Sequence, residues 1–419
     1  MKRHLISLVI VLLAAFATSH AGAQQGDCGI VRDVKPKTLD EPTWKRLNNI
    51  YEMVGEENYQ LAYEELVRFQ KRTRGNNYLD AIIYQALAQV QWALEDYDGA
   101  LVSFEEAVDL DALPDETHFS LMYQIAQLYY MKERYRDALA RLDLWFCKAP
   151  TERIRADAYI LKAALHAQIK EWQPVIAAVD TAIAMSDDPK ENWYQLKLAA
   201  NFEMQDFLAG AQTLEDIITN WPEKKMYWIQ LSNVWFKLKQ DDKALSVIAL
   251  AHRKNLLDKQ SDYLYLSNLY TFRDVPFKAA EALEEGLSKG IVEDSEQHWT
   301  IVADSWYAAE EREKALAAFA KAGARADDGE MDLRRGFILI DLERWEDARD
   351  ALAMAIDKGG MNDRKTGEAY LMVGMSEFYL DRWAEAEAAW AAARRIDQTK
   401  KSAQQWINHL REERARKGP

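Results

Sequence analysis

Residues 299–319 read WTIVADSWYAAEEREKALAAF, and two spacings inside that stretch decide the fold. Trp299, Val302, Ala303 and Trp306 stand at i, i+3, i+4 and i+7, which places them on one stripe of a helix. After a short polar break, Ala315 and Phe319 stand four apart on a second helix, with Ala315 sixteen residues beyond Trp299. The same offset returns as Tyr84 to Ala100, Met122 to Ala138, Trp228 to Ala244, Tyr263 to Ala279 and Tyr370 to Ala386. A fixed offset of this kind marks a chain assembled from one repeated supersecondary unit.

Working outward from these marks, repeats begin near residues 43, 81, 119, 156, 191, 225, 260, 296, 329 and 367. Each carries a large, an apolar, a small and an aromatic residue on a first helix, then Ala and a large apolar residue on a second. That pattern resembles the tetratricopeptide repeat (TPR). The resemblance implies an all-α fold, a TPR-type αα superhelical solenoid of about ten helix-turn-helix repeats. Ala88, Ala126, Ala303 and Gly374 on the first helices, and Ala at 62, 100, 138, 244, 279, 315, 348 and 386 on the second, are the points where helices approach closely. Val175 and Gly210 stand at that Ala position in repeats 4 and 5 and mark them as less regular. Pro114, Pro150, Pro189 and Pro222 fall between repeats, where helices end. Residues 399–419 close the chain: Trp406, Ile407 and Leu410 share one face and predict a C-terminal capping helix over the last apolar surface. A basic membrane-surface helix is the other reading of that stretch.

Ahead of the repeats, Lys2 and Arg3 precede an apolar run over 5–17, and Ala21-Gly22-Ala23 offers small residues for cleavage. Residues 1–23 therefore read as a signal peptide, and periplasmic localisation follows as the expectation. The run falls short of the roughly 20 residues of a spanning helix, so a membrane anchor is the weaker alternative and no direct membrane insertion is expected. Removing Lys2 and Arg3 takes the formal net charge from −15 to −17. Such a surface repels phosphate backbones, which argues against nucleic acid as a partner.

Residues 24–42 form a short cysteine-bearing segment before repeats over 43–398. Cys28 and Cys147 are the two cysteines of the sequence. In an oxidising compartment they are expected to pair as a disulfide, the alternative being two free thiols. Neither has a Cys or His at ligand spacing, so no metal is expected.

In solenoids of the resembled kind, positions 2, 5, 9 and 12 of each repeat line the inner face. By that rule the candidate groove takes Gln85, Gln89, Trp92, Tyr123, Gln127 and Tyr130 from repeats 2 and 3. Repeats 6 to 8 add Asn233, Phe236, Asn268, Asp304 and Tyr307, with Ile229, Leu264 and Thr300 beside them. Carboxamides suit the backbone of an extended peptide, and aromatics add apolar contact at low entropy cost. A plain solvated surface, or a groove filled by the chain's own N-terminal segment, are the alternatives. Leu47, Tyr51, Gln85 and Gln89 do not match the Lys and Asn of repeats that clamp a C-terminal carboxylate.

Catalysis finds no foothold. There is no His-Glu-x-x-His, phosphate-cradling Gly-rich loop or Gly-x-Ser-x-Gly, and no cofactor is expected. His118, His166, His252, His298 and His409 are scattered over different repeats. Finally, the run from Ala326-Asp327-Asp328-Gly329-Glu330 through Ile356-Asp357-Lys358-Gly359-Gly360, then Gly367 to Gly374, resembles periplasmic repeat proteins encoded beside TonB, ExbB and ExbD. That resemblance implies an accessory of TonB-dependent transport whose groove contacts TonB or an ExbB-type component. An envelope-assembly scaffold unrelated to TonB is the rival, and the oligomeric state is not set by any of these features.

Overall fold

The computed structural model describes residues 32–73 and 75–417. Among them the regular structure is helical, without a strand. Two compact units adjoin in sequence at Asp206 and Phe207. In the first, α1 (Glu41–Gly55) pairs with α2 (Tyr59–Thr73), α3 (Asn77–Ala93) with α4 (Tyr97–Asp109), α5 (Asp115–Met131) with α6 (Tyr135–Lys148), and α7 (Ala156–Gln168) with α8 (Trp172–Ala184). A 3-10 turn, Thr151–Arg153, precedes α7, and α9 (Glu191–Glu203) ends the unit.

The second unit opens with α10 (Phe207–Asn220). It continues as the pairs α11 (Lys225–Lys237) and α12 (Asp241–Arg253), α13 (Gln260–Phe272) and α14 (Pro276–Ser288), and α15 (Glu296–Ala308) and α16 (Arg312–Gly323). Then come α17 (Glu330–Asp341) and α18 (Trp345–Lys358), α19 (Asp363–Tyr379) and α20 (Trp383–Ala393), and last α21 (Lys400–Lys417). Within each unit every helix packs on its sequence neighbours, as an all-α helical repeat requires. The division falls inside the fifth repeat, where Gly210 replaces the recurrent Ala.

The sixteen-residue offset has a direct structural cause. All eight recurrent alanines of the second helices are fully buried, and Val175 takes the same place on α8. The small residue facing them on the first helix sits close enough to touch backbone: Ser232 Oγ donates to the Ala244 carbonyl at 2.8 Å, and Ser267 Oγ to that of Ala279 at 3.0 Å. A methyl group added at Gly374 would overlap the Trp390 indole, whose Nε1 donates to the Leu371 carbonyl at 3.1 Å. The apolar clusters are local, each shared by adjacent repeats, so the core is a series of interfaces.

Three residues join the two helices of every pair, whereas three to seven separate one pair from the next. The middle residue of each three-residue turn is left-handed, with φ between 56° and 62°: Glu57, Glu95, Glu133, Lys170, Gln205, Lys239, Asp274, Glu310, Glu343 and Asp381. In the second repeat the turn is tied by Glu95 N–H to the Trp92 carbonyl at 3.0 Å and Asp96 N–H to that of Gln91 at 2.9 Å. Two such bonds make the backbone reversal that ends a helix in a left-handed residue. None of the ten is glycine, so each turn holds its shape against the steric cost of a Cβ, roughly 1 kcal/mol.

Both ends of the described chain make contacts with the repeats. On α21, Ala403, Ile407 and Leu410 are buried while Trp406 is half-buried and stacks on Trp390 at 5.3 Å, which gives the capping helix its covering face. At the other end residues 32–40 run back along the repeats. Arg32 Nη1 donates to Asp115 at 2.6 Å and Nη2 to the Leu113 carbonyl at 2.6 Å, in the third repeat. Lys37 N–H donates to the Tyr78 hydroxyl at 3.1 Å, in the second.

Overpacking one interface should be costly. Ala315→Leu is expected to lower stability by about 1–3 kcal/mol, read from the urea midpoint, while Ala308→Leu at an exposed position leaves it unchanged. An unmoved midpoint for Ala315→Leu contradicts the close approach of α15 and α16.

Candidate functional site

In the first unit, α3, α5 and α7 present their free faces side by side, and between them lies a cavity of about 630 Å³. Its walls hold four residues of the expected groove, Gln89, Trp92, Gln127 and Tyr130. They are joined by Phe104 of α4, Gln124, Leu128 and Met131 of α5, and Leu161 of α7. Helix geometry explains the α5 contribution, since residues 124, 127 and 131 fall on one stripe while Leu128 turns into the core. Trp92 is 38% exposed and packs edge-on against Tyr97 at 5.1 Å, so its ring is held with one face free. Met131, 62% exposed, adds an adaptable apolar arm.

The polar groups of this cavity are uncommitted. Among the described residues the carboxamides of Gln89, Gln124 and Gln127 have no hydrogen-bond partner in the chain. By contrast Gln91, one turn away from the cavity, faces Ser103 at 2.6 Å inside the core. Gln85 is half-buried and does not line the cavity. Tyr123 lines a second, smaller cavity of about 260 Å³ with Phe119, Ser120, Trp145, Arg153, Arg155, Asp157 and Ala158. Burial raises the Tyr123 hydroxyl above its ordinary pKa, and Asp157 adds to the rise.

In the second unit the expected lining is differently disposed. Asp304 is ion-paired to Arg334, whose guanidinium lies 4.4 Å from the Phe319 ring centre. Tyr307 is covered by Arg312 at 4.4 Å, and Phe236 meets Phe272 edge-on at 5.8 Å. Asn233 and Asn268 are exposed. The largest cavity described in this unit, about 830 Å³, lies among the second helices instead, lined by α12, α14 and α16 with Tyr270 and Trp306. There Lys278 lies 2.7 Å from Glu281 and His252 3.1 Å from Glu285.

His118, which the sequence placed on a surface or in packing, is buried beside a third cavity of about 230 Å³. Its Nδ1 has no partner among the described residues, and Nε2 stands 3.8 Å from Asp111. Burial, then Arg32 and Lys148, push its pKa down to about 4, against the pull of Asp111 and Asp115. Cys28 lies outside the described residues, while Cys147 stands on the last turn of α6. Among the described residues no group of three or more His, Cys, Asp or Glu is placed to hold a metal ion. No described helix is long and apolar enough to cross a membrane.

The fold defines the class: an all-α helical-repeat protein whose paired helices follow the tetratricopeptide pattern. No family model and no curated protein matches the chain. Among solved structures it is similar to a tetratricopeptide repeat protein from Parabacteroides merdae, at 12% identity over 63% of this chain and 98% of that one, TM-score 0.36. It is also similar to YrrB, described as a TPR protein with an unusual peptide-binding site, at 16% identity over 47% of this chain and 99% of that one, TM-score 0.34. A third is the TPR2AB domain of yeast Sti1 in complex with pHSP90, at 16% identity over 61% and 96%, TM-score 0.31.

His118 generates a pH prediction. Its folded pKa of about 4 lies below the ordinary 6.5, so the unfolded chain binds its proton first. Stability is then fully present above about 6.5 and is lost as pH falls toward 4. The slope of thermal midpoint against pH over that window should flatten in His118→Phe. An unchanged slope assigns the acid sensitivity elsewhere.

Proposed function

We propose that this protein is an interaction scaffold that holds an extended segment of a partner protein in the α3–α5–α7 cavity. The carrying observation is an apolar-walled cavity of about 630 Å³ whose three exposed carboxamides have no hydrogen-bond partner among the described residues. Apolar walls with a few unpaired polar groups are the composition of a ligand site. A carboxamide offers both a donor and an acceptor to the backbone of an extended peptide.

The remaining parts of the proposal rest on the sequence. Residues 1–23 carry the marks of a cleaved export signal, which supports a periplasmic location for the scaffold. The Gly- and Asp-bearing C-terminal runs suggest service to TonB-dependent transport, with TonB or an ExbB-type component as partner. Reach supports a Cys28–Cys147 disulfide. Arg32 is fixed beside Asp111 and Asp115, four residues from Cys28, and four extended residues span about 13 Å. Lys148, next to Cys147, is near enough to His118 to depress its pKa.

Photocrosslinking tests the partner. A photoreactive residue at Gln127 should trap an envelope protein in intact cells, and Asn268 should trap less of it. Adducts that are absent at Gln127 in several growth conditions contradict the groove reading. Poor growth of a deletion strain on chelated iron supports the TonB link, whereas altered envelope permeability with normal uptake favours an assembly scaffold. Mass spectrometry of the exported protein without reductant should show one Cys28–Cys147 bridge. Two alkylatable thiols exclude it.

A further inference from the structure

The second cavity of the first unit continues the first along the same two helices. Ser120, Gln124, Gln127 and Met131 form one stripe of α5, and Ala158 and Leu161 one stripe of α7, so both cavities open on a shared face. Tyr123 and Gln127 are one turn apart, about 6 Å along the helix. At the Tyr123 end the chemistry changes. Arg153 closes the 3-10 turn and Arg155 caps the start of α7, and both line the cavity with the hydroxyls of Ser120 and Tyr123.

These two arginines are uncommitted, as are Arg72, Arg136, Arg253 and Arg395 among the described residues. Among the described residues neither guanidinium has a hydrogen bond or ion pair. Elsewhere Arg134, Arg141, Arg325 and Arg344 each hold a carboxylate, as an excess of 68 acidic over 53 basic residues makes easy. The one acid of the cavity, Asp157, is exposed and has Lys190 at 3.7 Å as its ion-pair partner. The start of α7 adds the positive end of a helix of 13 residues. Both arginines come from the connection between repeats, outside the helix positions from which the groove lining was read.

We infer that the Arg153–Arg155 cavity is an acid subsite, and that the ligand is an extended segment carrying an Asp or Glu side chain beside a large apolar residue. The inference rests on the groove reading and adds to it the charge of the bound segment. The carboxylate sits between the two guanidiniums and the Tyr123 hydroxyl, while its apolar neighbour reaches Trp92, Leu128 and Met131. Guanidinium binds carboxylate in a bidentate, charge-assisted mode, which favours it over a neutral amide.

The test uses the full exported chain and an array of N-acetylated, C-amidated nonapeptides, each present in a Glu and a Gln version. Capped ends remove any terminal carboxylate. Affinities of the hits are measured by fluorescence anisotropy with the wild type, Arg153→Gln, Arg155→Gln and Trp92→Ala. The Glu versions should bind about 10-fold tighter than their Gln partners, and either Arg→Gln change should abolish that preference. Trp92→Ala should weaken both versions. Equal binding of Glu and Gln versions, or equal loss of both in the Arg variants, overturns the acid subsite, while sensitivity to Trp92→Ala keeps the groove. An array without hits to the wild type overturns both.

Discussion

Everything in this structure depends on how closely the second helix of each pair can approach the first. A fully buried alanine on one side and Ala, Ser or Gly on the other bring the backbones within reach of a side-chain hydroxyl, as at Ser232 and Ser267. That distance fixes where the aromatic residues on either side meet, and so it fixes the sixteen-residue offset. Because every repeat makes the same contact, stability is a sum over neighbouring interfaces. Trp306, Trp390 and Trp145 are buried at these interfaces, and Trp306 and Trp390 also meet the neighbouring helices through Phe277 and Trp406.

Helix pairing was legible in the sequence because its signal is short-range. Trp299 and Ala315 report on one another through a contact that the chain itself brings together within sixteen residues. The proline positions were legible for the same reason: Pro114 and Pro150 stand at helix starts. What escaped notice depends on contacts distant in sequence. Nothing near Arg32 announces that it binds Asp111 and Asp115 some eighty residues on. Asp304 reads as groove lining until Arg334, thirty residues later, takes it. That the short turns within repeats are left-handed was not legible, because the usual marker, glycine, is absent from all ten.

For the candidate site, the inner-face rule found Gln89, Trp92, Gln127 and Tyr130 but passed over Gln124, Met131, Phe104 and Leu161. A rule that names four positions per repeat treats the face as a grid, whereas the cavity is shaped by longer α3 and α5 helices of 17 residues each. Both units present exposed amides without a partner among the described residues, but in the second Asp304 and Tyr307 are tied into contacts with Arg334 and Arg312. Availability, more than residue type, separates a surface able to accept a ligand from one already satisfied.

The constant three-residue turn within pairs, set against connections of three to seven residues between them, makes the two edges of the repeats unequal. A residue added inside a pair would rotate the second helix by about 100° and carry its alanine out of the interface. One added between pairs lengthens a loop at small entropic cost. Variation in chain length is therefore channelled to a single edge, the one that also carries Arg153 and Arg155. New loops, fused domains and changes of specificity have the same place to enter, and the helical framework needs no redesign to admit them.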